Sequence, residues 1–166
     1  MPPEALPAPR YPAKIAGFDE ALERIARLPR PLVMTNGVFD LLHRGHVHYL
    51  EQARALGASL VVAVNSDASV RRLGKGGERP LNSLADRMAV LAGLAAVDLV
   101  VPFDGDTPRE LIVAAAPDVL VKGGDYTAQT TAGAAETLAR GGRFVAIPLV
   151  ADRSTTSLVE RIRRGG

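Results

Sequence analysis

The sequence predicts an α/β protein with a doubly wound, five-stranded parallel sheet. Five short apolar runs, each typical of a buried strand, alternate with segments of helical periodicity. The runs are apolar throughout rather than at every second residue, which is the pattern of strands covered by helices on both faces. A chain of 166 residues can bury a sizeable core, and we expect a single domain.

The folded domain is predicted to follow a short N-terminal lead-in. Residues 1–14 are rich in proline and predict an extended or disordered segment ahead of a domain at 15–166. Asp19 is expected to cap a first helix over 20–28, which the prolines that follow it end.

Apolar runs and turn residues place the remaining elements. Strands are predicted at 32–34, 60–64, 98–102, 119–121 and 144–148. Helices are predicted at 47–56, 83–95, 107–116, 131–140 and 157–164, with a shorter helix that ends at residue 72. The expected N-terminal caps are Ser66 or Asp67, Ser83 in a box with Asp86, and Ser154-Thr155-Thr156. Gly57 is the expected C-cap of the helix that begins at residue 47.

Composition excludes several classes of function. The net charge of +2 and the 4% of aromatic residues do not favour a nucleic-acid partner. The absence of cysteine excludes disulfides, thiolate zinc sites and thiol nucleophiles. No apolar run approaches the ~20 residues of a membrane span, and the N-terminus lacks the apolar centre of a signal peptide. We therefore expect a soluble cytoplasmic protein with no membrane partner.

The stretch 35–46, Thr-Asn-Gly-Val-Phe-Asp-Leu-Leu-His-Arg-Gly-His, follows the first predicted strand and indicates an anion site. Gly37 and Gly45 allow close backbone approach, and the free N–H groups and dipole of a helix N-terminus favour phosphate. His43 and His46 are three residues apart and face the same way on a helix. As imidazolium groups they would bind phosphate oxygens and stabilise transition-state charge. His48 is expected to point away, at the surface.

Two other interpretations of the histidines remain open at this point. A His-x-x-His-x-His run is able to bind zinc with help from Asp or Glu, and the cluster is also compatible with incidental core and surface positions. The sequence lacks a Walker A loop and a G-x-G-x-x-G motif after the first strand, which disfavours P-loop kinases and dinucleotide-binding dehydrogenases.

All stretches with site-like residues follow predicted strands. The carboxyl ends of parallel strands meet at one edge of a sheet, where ligands bind at the point of strand-order reversal. We therefore expect one site to be formed by 35–46, 65–80, 122–126 and 152–156.

The sequence Gly-x-Phe-Asp-Leu-Leu-His-x-Gly-His at 37–46 resembles the signature of the HxGH nucleotidyltransferase superfamily. Further stretches resemble the heptose 1-phosphate adenylyltransferase family, namely 34–40, 64–69, 79–82, 121–126 and 154–156. The resemblance covers 15–164 and implies a Rossmann-like nucleotidyltransferase fold. It also implies transfer of AMP from ATP to D-glycero-D-manno-heptose 1-phosphate, which yields ADP-heptose and pyrophosphate for lipopolysaccharide inner-core synthesis.

The resemblance implies a role for each matching residue. The catalytic residues would be His43, His46 and Lys75. The nucleotide and its phosphates would contact Thr35, Asn36, Gly37, Phe39, Gly45, Arg87, Gly124, Asp125, Ser154, Thr155 and Thr156. The sugar-phosphate side would be formed by Asp40, Asn65, Asp67, Arg79 and Lys122. No residue is assigned as a metal ligand, and Mg²⁺ would arrive with the substrate ATP.

Several of these roles have alternatives. Arg72 or Arg79 would replace Lys75 if the loop alignment is shifted. Arg87 is otherwise a solvated helix charge, Asp125 a turn cap, and 154–156 a plain N-cap.

The function also has alternatives. Other acceptors are glycerol phosphate, choline or ethanolamine phosphate and pantetheine phosphate, with ATP or CTP as donor, and the other class is a non-catalytic nucleotide sensor. A separate heptose kinase would supply the sugar phosphate, and a homo-oligomer remains open.

Overall fold

The computed structural model describes residues 6–74, 78–150 and 154–165. Its five strands are β1 (Leu32–Gly37), β2 (Ser59–Asn65), β3 (Leu99–Phe103), β4 (Val119–Gly123) and β5 (Arg143–Ile147). All pairings are parallel, and the strand order is β3-β2-β1-β4-β5. The predicted doubly wound, five-stranded parallel sheet is therefore confirmed.

Seven α-helices accompany the described strands. They are α1 (Ala21–Ala26), α2 (Arg44–Arg54), α3 (Asp67–Arg72), α4 (Leu84–Ala92), α5 (Arg109–Ala115), α6 (Ala134–Ala139) and α7 (Thr155–Arg163). None of these helices is both long and apolar enough to cross a membrane.

The strands carry unbroken apolar runs because both faces of the sheet are covered. On β1, Val33 packs in one apolar cluster and its neighbour Met34 in the other. The first cluster includes Leu50 of α2 and Leu91 of α4, and the second includes Ile112 of α5. Successive side chains of a strand point to opposite faces, so each apolar residue finds a core.

The strand order reverses at β1, which pairs with β2 on one side and β4 on the other. Its pairing with β2 continues to Gly37, whereas its pairing with β4 ends at Met34 opposite Leu120. The ends of β1 and β4 therefore border a crevice, which is the position where ligands bind in open α/β sheets.

Three helices start with the side-chain caps that the sequence predicts. Oγ of Ser66 accepts a hydrogen bond from the Ser69 N–H at 3.0 Å, so Ser66 rather than Asp67 is the cap of α3. Oγ of Ser83 and of Ser154 accept equivalent bonds at the starts of α4 and α7. The box of Ser83 is incomplete, because the Asp86 carboxylate accepts the Ser83 hydroxyl at 2.7 Å instead of a backbone N–H.

Two predicted capping residues have other roles. Asp19 does not cap α1, whose N-cap residue is Glu20, and the Glu20 carboxylate instead accepts a bond from the Gly17 N–H. Gly57 is not the C-cap of α2, which is Ala55. A Cβ at Gly57 would lie 2.5 Å from the carbonyl oxygen of Pro31, so close backbone packing accounts for the glycine.

The N-terminal segment and α6 also differ from expectation. Tyr11–Lys14 form a short 3₁₀ helix rather than an extended lead-in, and Nζ of Lys14 donates to the carbonyl of Leu94 at 3.0 Å. The boundary at residue 15 stays a prediction. Helix α6 begins at Ala134 rather than at 131, because Gly133 has a left-handed φ of 81° that interrupts the helical backbone.

Candidate active site

The turn between β1 and α2 is shaped by a phenylalanine in the left-handed region. Phe39 has a φ of 51°, and its buried ring lies over Gly37. A Cβ at Gly37 would be only 2.9 Å from that ring. Gly37 is therefore needed to accommodate Phe39, a reason that differs from the close ligand approach expected from the sequence.

His43 and His46 form a reciprocal cap at the start of α2. Nδ1 of His43 accepts a hydrogen bond from the Gly45 N–H at 3.1 Å, and Nδ1 of His46 accepts one from the His43 N–H at 3.2 Å. A neutral imidazole that accepts at Nδ1 carries its proton on Nε2. The helix start thus fixes both rings as Nε2–H tautomers.

The environment of His46 makes this ring neutral. Burial lowers the pKa of His46 from its ordinary value of 6.5 to about 4, and repulsion from His43, in its protonated form, is the smaller cause. Burial therefore disfavours the imidazolium form that was expected for His46. His46 presents a neutral N–H donor near pH 7, while His48 is exposed, as predicted.

A cavity of about 550 Å³ opens where β1 and β4 end. The predicted site residues that line it are Asn36, Gly37, Phe39, Asp40, His46, Arg79, Lys122, Thr155 and Thr156. It brings residues from the turn after β1, the end of β4, the 79–82 segment and the start of α7 to one place. We call it the larger cavity.

The larger cavity has five further residues, namely Val38, Tyr49, Gly123, Tyr126 and Leu149. Val38, Gly123 and Tyr126 lie within the predicted site stretches 35–46 and 122–126, whereas Tyr49 and Leu149 lie outside every predicted site stretch. Tyr49 lies in an apolar helical stripe and gives no local signal of a site, although its hydroxyl is hydrogen-bonded to that of Thr35. Burial raises the pKa of Tyr49 to about 12, with the bond to Thr35 partly opposing the shift, so this phenol is neutral.

A smaller cavity of about 270 Å³ lies beside the larger one. The two share the residues Asn36, Gly37, Val38, Lys122 and Tyr126. The smaller cavity adds Asn65, Leu73, Asp106, Thr107, Pro108, Thr130, Thr131 and Ala132. Of these added residues, Asn65 and Leu73 lie within the predicted stretch 65–80, and Asn65 is the one to which a role was assigned.

Lys122 stands in the wall common to both cavities. Its Nζ donates to the carbonyl oxygen of Asn36 at 3.3 Å and to Oδ1 of Asn36 at 3.2 Å. The same Nζ lies 5.1 Å from the centroid of the Tyr126 ring, within the range of a cation–π contact. This places one positive charge at the junction of the two cavities.

The side chain of Asn65 is oriented by a hydrogen-bond relay. Its Nδ2 donates to Oγ of the buried Ser69 at 3.0 Å, and that hydroxyl donates to the carbonyl of Gly105 at 2.8 Å. Since the amide NH₂ is engaged with the protein, the amide oxygen is the end that is suited to accept a bond from a ligand.

Arg87 is neither a solvated charge nor a residue of the cavity wall. Its side chain is fully buried, with Nη1 donating to the Val38 carbonyl at 2.7 Å and Nε to the Asn82 carbonyl at 3.1 Å. Nη2 donates to Oδ1 of Asp67 at 2.8 Å. The alternative of a solvated charge is therefore wrong, and the phosphate contact of Arg87 stays a prediction. In this structure Arg87 bonds to the turn before Phe39 and to the Asp67 carboxylate that was assigned to the sugar side.

Some predicted residues lie away from both cavity walls. Thr35 is fully buried against Tyr49, and Asp125 is exposed beyond Gly124, whose N–H donates to Ile147. Ser154 caps α7 as the plain interpretation expected. Gly45 is buried in the first turn of α2.

The three candidate loop cations have different positions. Lys75 lies outside the described residues. Nε of Arg72 donates to the Asp106 carboxylate at 2.8 Å, at an exposed site. Of the two described candidates, Arg79 is the one that lines the larger cavity. Within the described segments, no three His, Asp or Glu residues gather closely enough to hold a metal ion.

Comparisons with known proteins agree with this geometry. Residues 34–158 match a family model described as cytidylyltransferase-like. The chain is 58% identical over 158 residues to D-beta-D-heptose 1-phosphate adenylyltransferase of Bordetella bronchiseptica, covering 94% of this chain and 98% of that protein. It is 55% identical over 142 residues to bifunctional protein HldE of Shewanella sp. (strain ANA-3), covering 86% of this chain but only 30% of that protein.

A solved structure has the same fold. The lipopolysaccharide core biosynthesis protein from Thermoplasma volcanium GSS1 superimposes with a TM-score of 0.58 at 29% identity. The match covers 72% of this chain and 95% of that one.

Proposed function

Because this chain belongs to the cytidylyltransferase-like family, we propose that it is a heptose 1-phosphate adenylyltransferase. It transfers AMP from ATP to D-glycero-D-manno-heptose 1-phosphate, and the products are ADP-heptose and pyrophosphate. The Bordetella relative is named for this activity on the β anomer, which makes that anomer the first acceptor to test. ADP-heptose then serves lipopolysaccharide inner-core synthesis, in line with the name of the Thermoplasma structure.

The observation that carries the proposal is the pair of cavities that meet at Lys122. The larger cavity holds His46 and the start of α7, a combination suited to a triphosphate. The smaller cavity is lined by amide and hydroxyl side chains, among them Asn65, Thr130 and Thr131, which are suited to the hydroxyls of a sugar. A donor and an acceptor bound side by side would bring their phosphates together at the shared wall.

The chemistry is an in-line displacement at the α-phosphorus of ATP. An oxygen of the sugar 1-phosphate forms the new P–O bond, and the bond from the α-phosphorus to the bridging oxygen breaks as pyrophosphate leaves with that electron pair. The attacking phosphate is already anionic, so no protein base is required. In this proposal Nε2–H of His46, which lines the larger cavity, donates to phosphate oxygens together with Nε2–H of the neighbouring His43. The ammonium of Lys122 attracts both anions to the junction.

Mg²⁺ enters this proposal as part of the substrate MgATP. The carboxylate of Asp40 is engaged by backbone N–H groups and by Arg79, and Asp67 is engaged by Arg87. These contacts leave neither carboxylate as a ready ligand for a resident ion. We therefore assign no reaction step to a protein-bound metal.

The test is to incubate the protein with ATP and β-heptose 1-phosphate and to measure pyrophosphate and ADP-heptose by mass spectrometry. Parallel reactions replace the acceptor with the α anomer, glycerol phosphate, choline phosphate, ethanolamine phosphate or pantetheine phosphate, and replace ATP with CTP. We expect the highest kcat/KM with ATP and the β anomer.

Two outcomes would overturn the proposal. A higher kcat/KM with a different acceptor or with CTP would assign the chain to another branch of the family. Tight ATP binding with no pyrophosphate from any acceptor would identify a nucleotide sensor instead.

The cellular setting follows from the substrates. Because the reaction uses ATP, we propose that it takes place in the cytoplasm. A separate heptose kinase would supply the sugar phosphate. The bifunctional relatives are consistent with two linked activities, since this chain spans about 30% of their length.

A further inference from the structure

We propose that Arg79 is a phosphate-binding residue of the larger cavity and that Asp40 is the residue that positions it. The proposal rests on the proposed function in one respect, namely that a nucleoside triphosphate occupies this cavity. It changes the roles of both residues, since the resemblance places them on the sugar-phosphate side and otherwise offers Arg79 only as a substitute for Lys75.

Asp40 anchors the segment that carries Arg79. The residue is only 4% exposed, and its carboxylate accepts the Leu81 N–H at 2.9 Å and the Asn82 N–H at 2.9 Å. Nδ2 of Asn82 in turn donates to the backbone carbonyl of Asp40 at 2.8 Å. These bonds tie the 79–82 segment to the turn that precedes the two histidines. Asp40 is therefore committed to this segment and is not available as an ordinary sugar ligand.

The same carboxylate orients the guanidinium of Arg79. Nε of Arg79 lies 2.8 Å from Oδ2 of Asp40, and the arginine side chain is 16% exposed. This contact is an ion pair rather than an aligned hydrogen bond, because the buried Nε–H has no hydrogen-bond acceptor among the described residues. Charge attraction thus holds the Nε edge of the guanidinium against Asp40.

The other edge of the guanidinium is suited to a phosphate. Arg79 lines the larger cavity, and its terminal nitrogens make no hydrogen bond to another described residue. A planar guanidinium with two adjacent N–H groups matches the geometry of phosphate oxygens. Arg79 and Lys122 supply the permanent positive charges of the described cavity wall, and a triphosphate requires such charges.

Burial and position make Arg79 a better candidate for phosphate binding than Arg72. Arg72 is exposed and binds both the Asp106 carboxylate and the Asp104 carbonyl, away from the larger cavity. Arg79 is mostly buried, points to the cavity and is held by a buried carboxylate. A cation whose orientation is set before binding loses less entropy when the ligand arrives.

The test compares Arg79→Gln, Arg79→Lys, Asp40→Asn and the double variant Asp40→Asn/Arg79→Gln. ATP affinity is measured by calorimetry, turnover by pyrophosphate release, and folding by thermal denaturation. We expect Arg79→Gln to raise the Kd for ATP by about 10- to 100-fold, the loss of a charged hydrogen bond. Arg79→Lys keeps the positive charge but lacks the two adjacent N–H groups of the guanidinium. We expect it to recover only part of the lost ATP affinity.

Asp40→Asn separates a positioning role from a general structural one. If Asp40 acts through Arg79, the substitution weakens ATP binding in the wild-type background but changes the Kd by less than about twofold in the Arg79→Gln background. Equal losses of ATP affinity in both backgrounds would overturn the positioning role.

A second arginine–aspartate ion pair, near the amino ends of β2 and β3, serves as a matched control for Arg79 and Asp40. Nε of Arg54 lies 2.7 Å from Oδ2 of Asp98, which also accepts the Leu60 N–H at 2.7 Å. Asp98→Asn and Arg54→Gln are expected to lower the melting temperature without changing the Kd for ATP.

Wild-type ATP affinity and turnover in Arg79→Gln would overturn the proposal while leaving the proposed function intact. In contrast, a wild-type protein that binds ATP but forms no ADP-heptose would contradict the proposed function, and the role of Arg79 would still be decided by the ATP affinities.

Discussion

The imidazole rings of His43 and His46 lie side by side, with centroids 4.0 Å apart and planes inclined by 36°. Each ring accepts a backbone N–H at Nδ1, so both are fixed in the same tautomer by the first turn of α2. The ring of Phe39 lies 5.6 Å from that of His46 and contributes to its apolar surroundings. The two side chains that cap the helix are therefore also the proposed phosphate-binding donors.

The first prediction concerns stability and pH. The pKa of His46 is about 4 in the folded protein and near 6.5 when unfolded, so the unfolded chain binds more protons between these values. The free energy of unfolding should therefore fall as pH decreases from about 6.5 to about 4, and this contribution should level off below pH 4. Its slope is at most about 1.4 kcal/mol per pH unit. Urea denaturation of wild type and His46→Asn across this range measures the difference, and identical slopes would contradict the assigned burial.

The second prediction concerns the donor at Nε2. In His46→Asn the amide oxygen replaces Nδ1 and preserves the bond to the His43 N–H, but the Nε2–H donor is lost. We expect kcat to fall by about 10²–10³-fold, as for other lost charge-stabilising donors. His46→Gln extends an amide to the position of Nε2 and should retain more activity than His46→Asn. The reverse order in pyrophosphate-release assays would show that the cap, not the donor, is the essential feature.

The third prediction concerns Gly37 and Phe39. A methyl group at Gly37 would contact the Phe39 ring at 2.9 Å, so Gly37→Ala should destabilise the fold by about 1–3 kcal/mol. Adding Phe39→Leu should recover part of the loss because it removes the ring. Gly17→Ala is the control, since a Cβ there meets nothing within 4 Å. Chemical denaturation measures all four proteins, and equal effects at Gly37 and Gly17 would contradict the packing explanation.

The fourth prediction concerns the relay to Asn65. Ser69→Ala removes the hydroxyl that holds the Asn65 amide, so the KM for heptose 1-phosphate should rise by about tenfold, the value of one hydrogen bond. The Kd for ATP should not change. Ser59→Ala is the matched control, because Ser59 is a buried serine whose hydroxyl donates to the Pro29 carbonyl far from the cavities. If both variants have the same KM for heptose 1-phosphate, Asn65 does not contribute to acceptor binding.

Features that depend on nearby residues were predicted well. The Ser66, Ser83 and Ser154 caps each bind a backbone N–H three residues further on, so a short window of sequence contains both partners. The sheet was predictable for a similar reason, since continuous apolar runs reflect burial on both faces. The helix start at Arg44 was placed later than observed because His43, an unusual N-cap residue, gave no capping signal.

The sequence by itself determined the order of the strands along the chain and the presence of a histidine-bearing turn after the first strand. It also determined that the candidate residues gather at one edge, because parallel strands have their carboxyl ends on the same side. Only the tertiary structure decided which charged residues face the cavities. Arg87 bonds to Val38, 49 residues away, and Asp40 to Asn82, 42 residues away, so no local pattern contains these pairings. The neutral state of His46 likewise depends on burial, which arises when its ring packs near the rings of Phe39 and His43 in the folded turn.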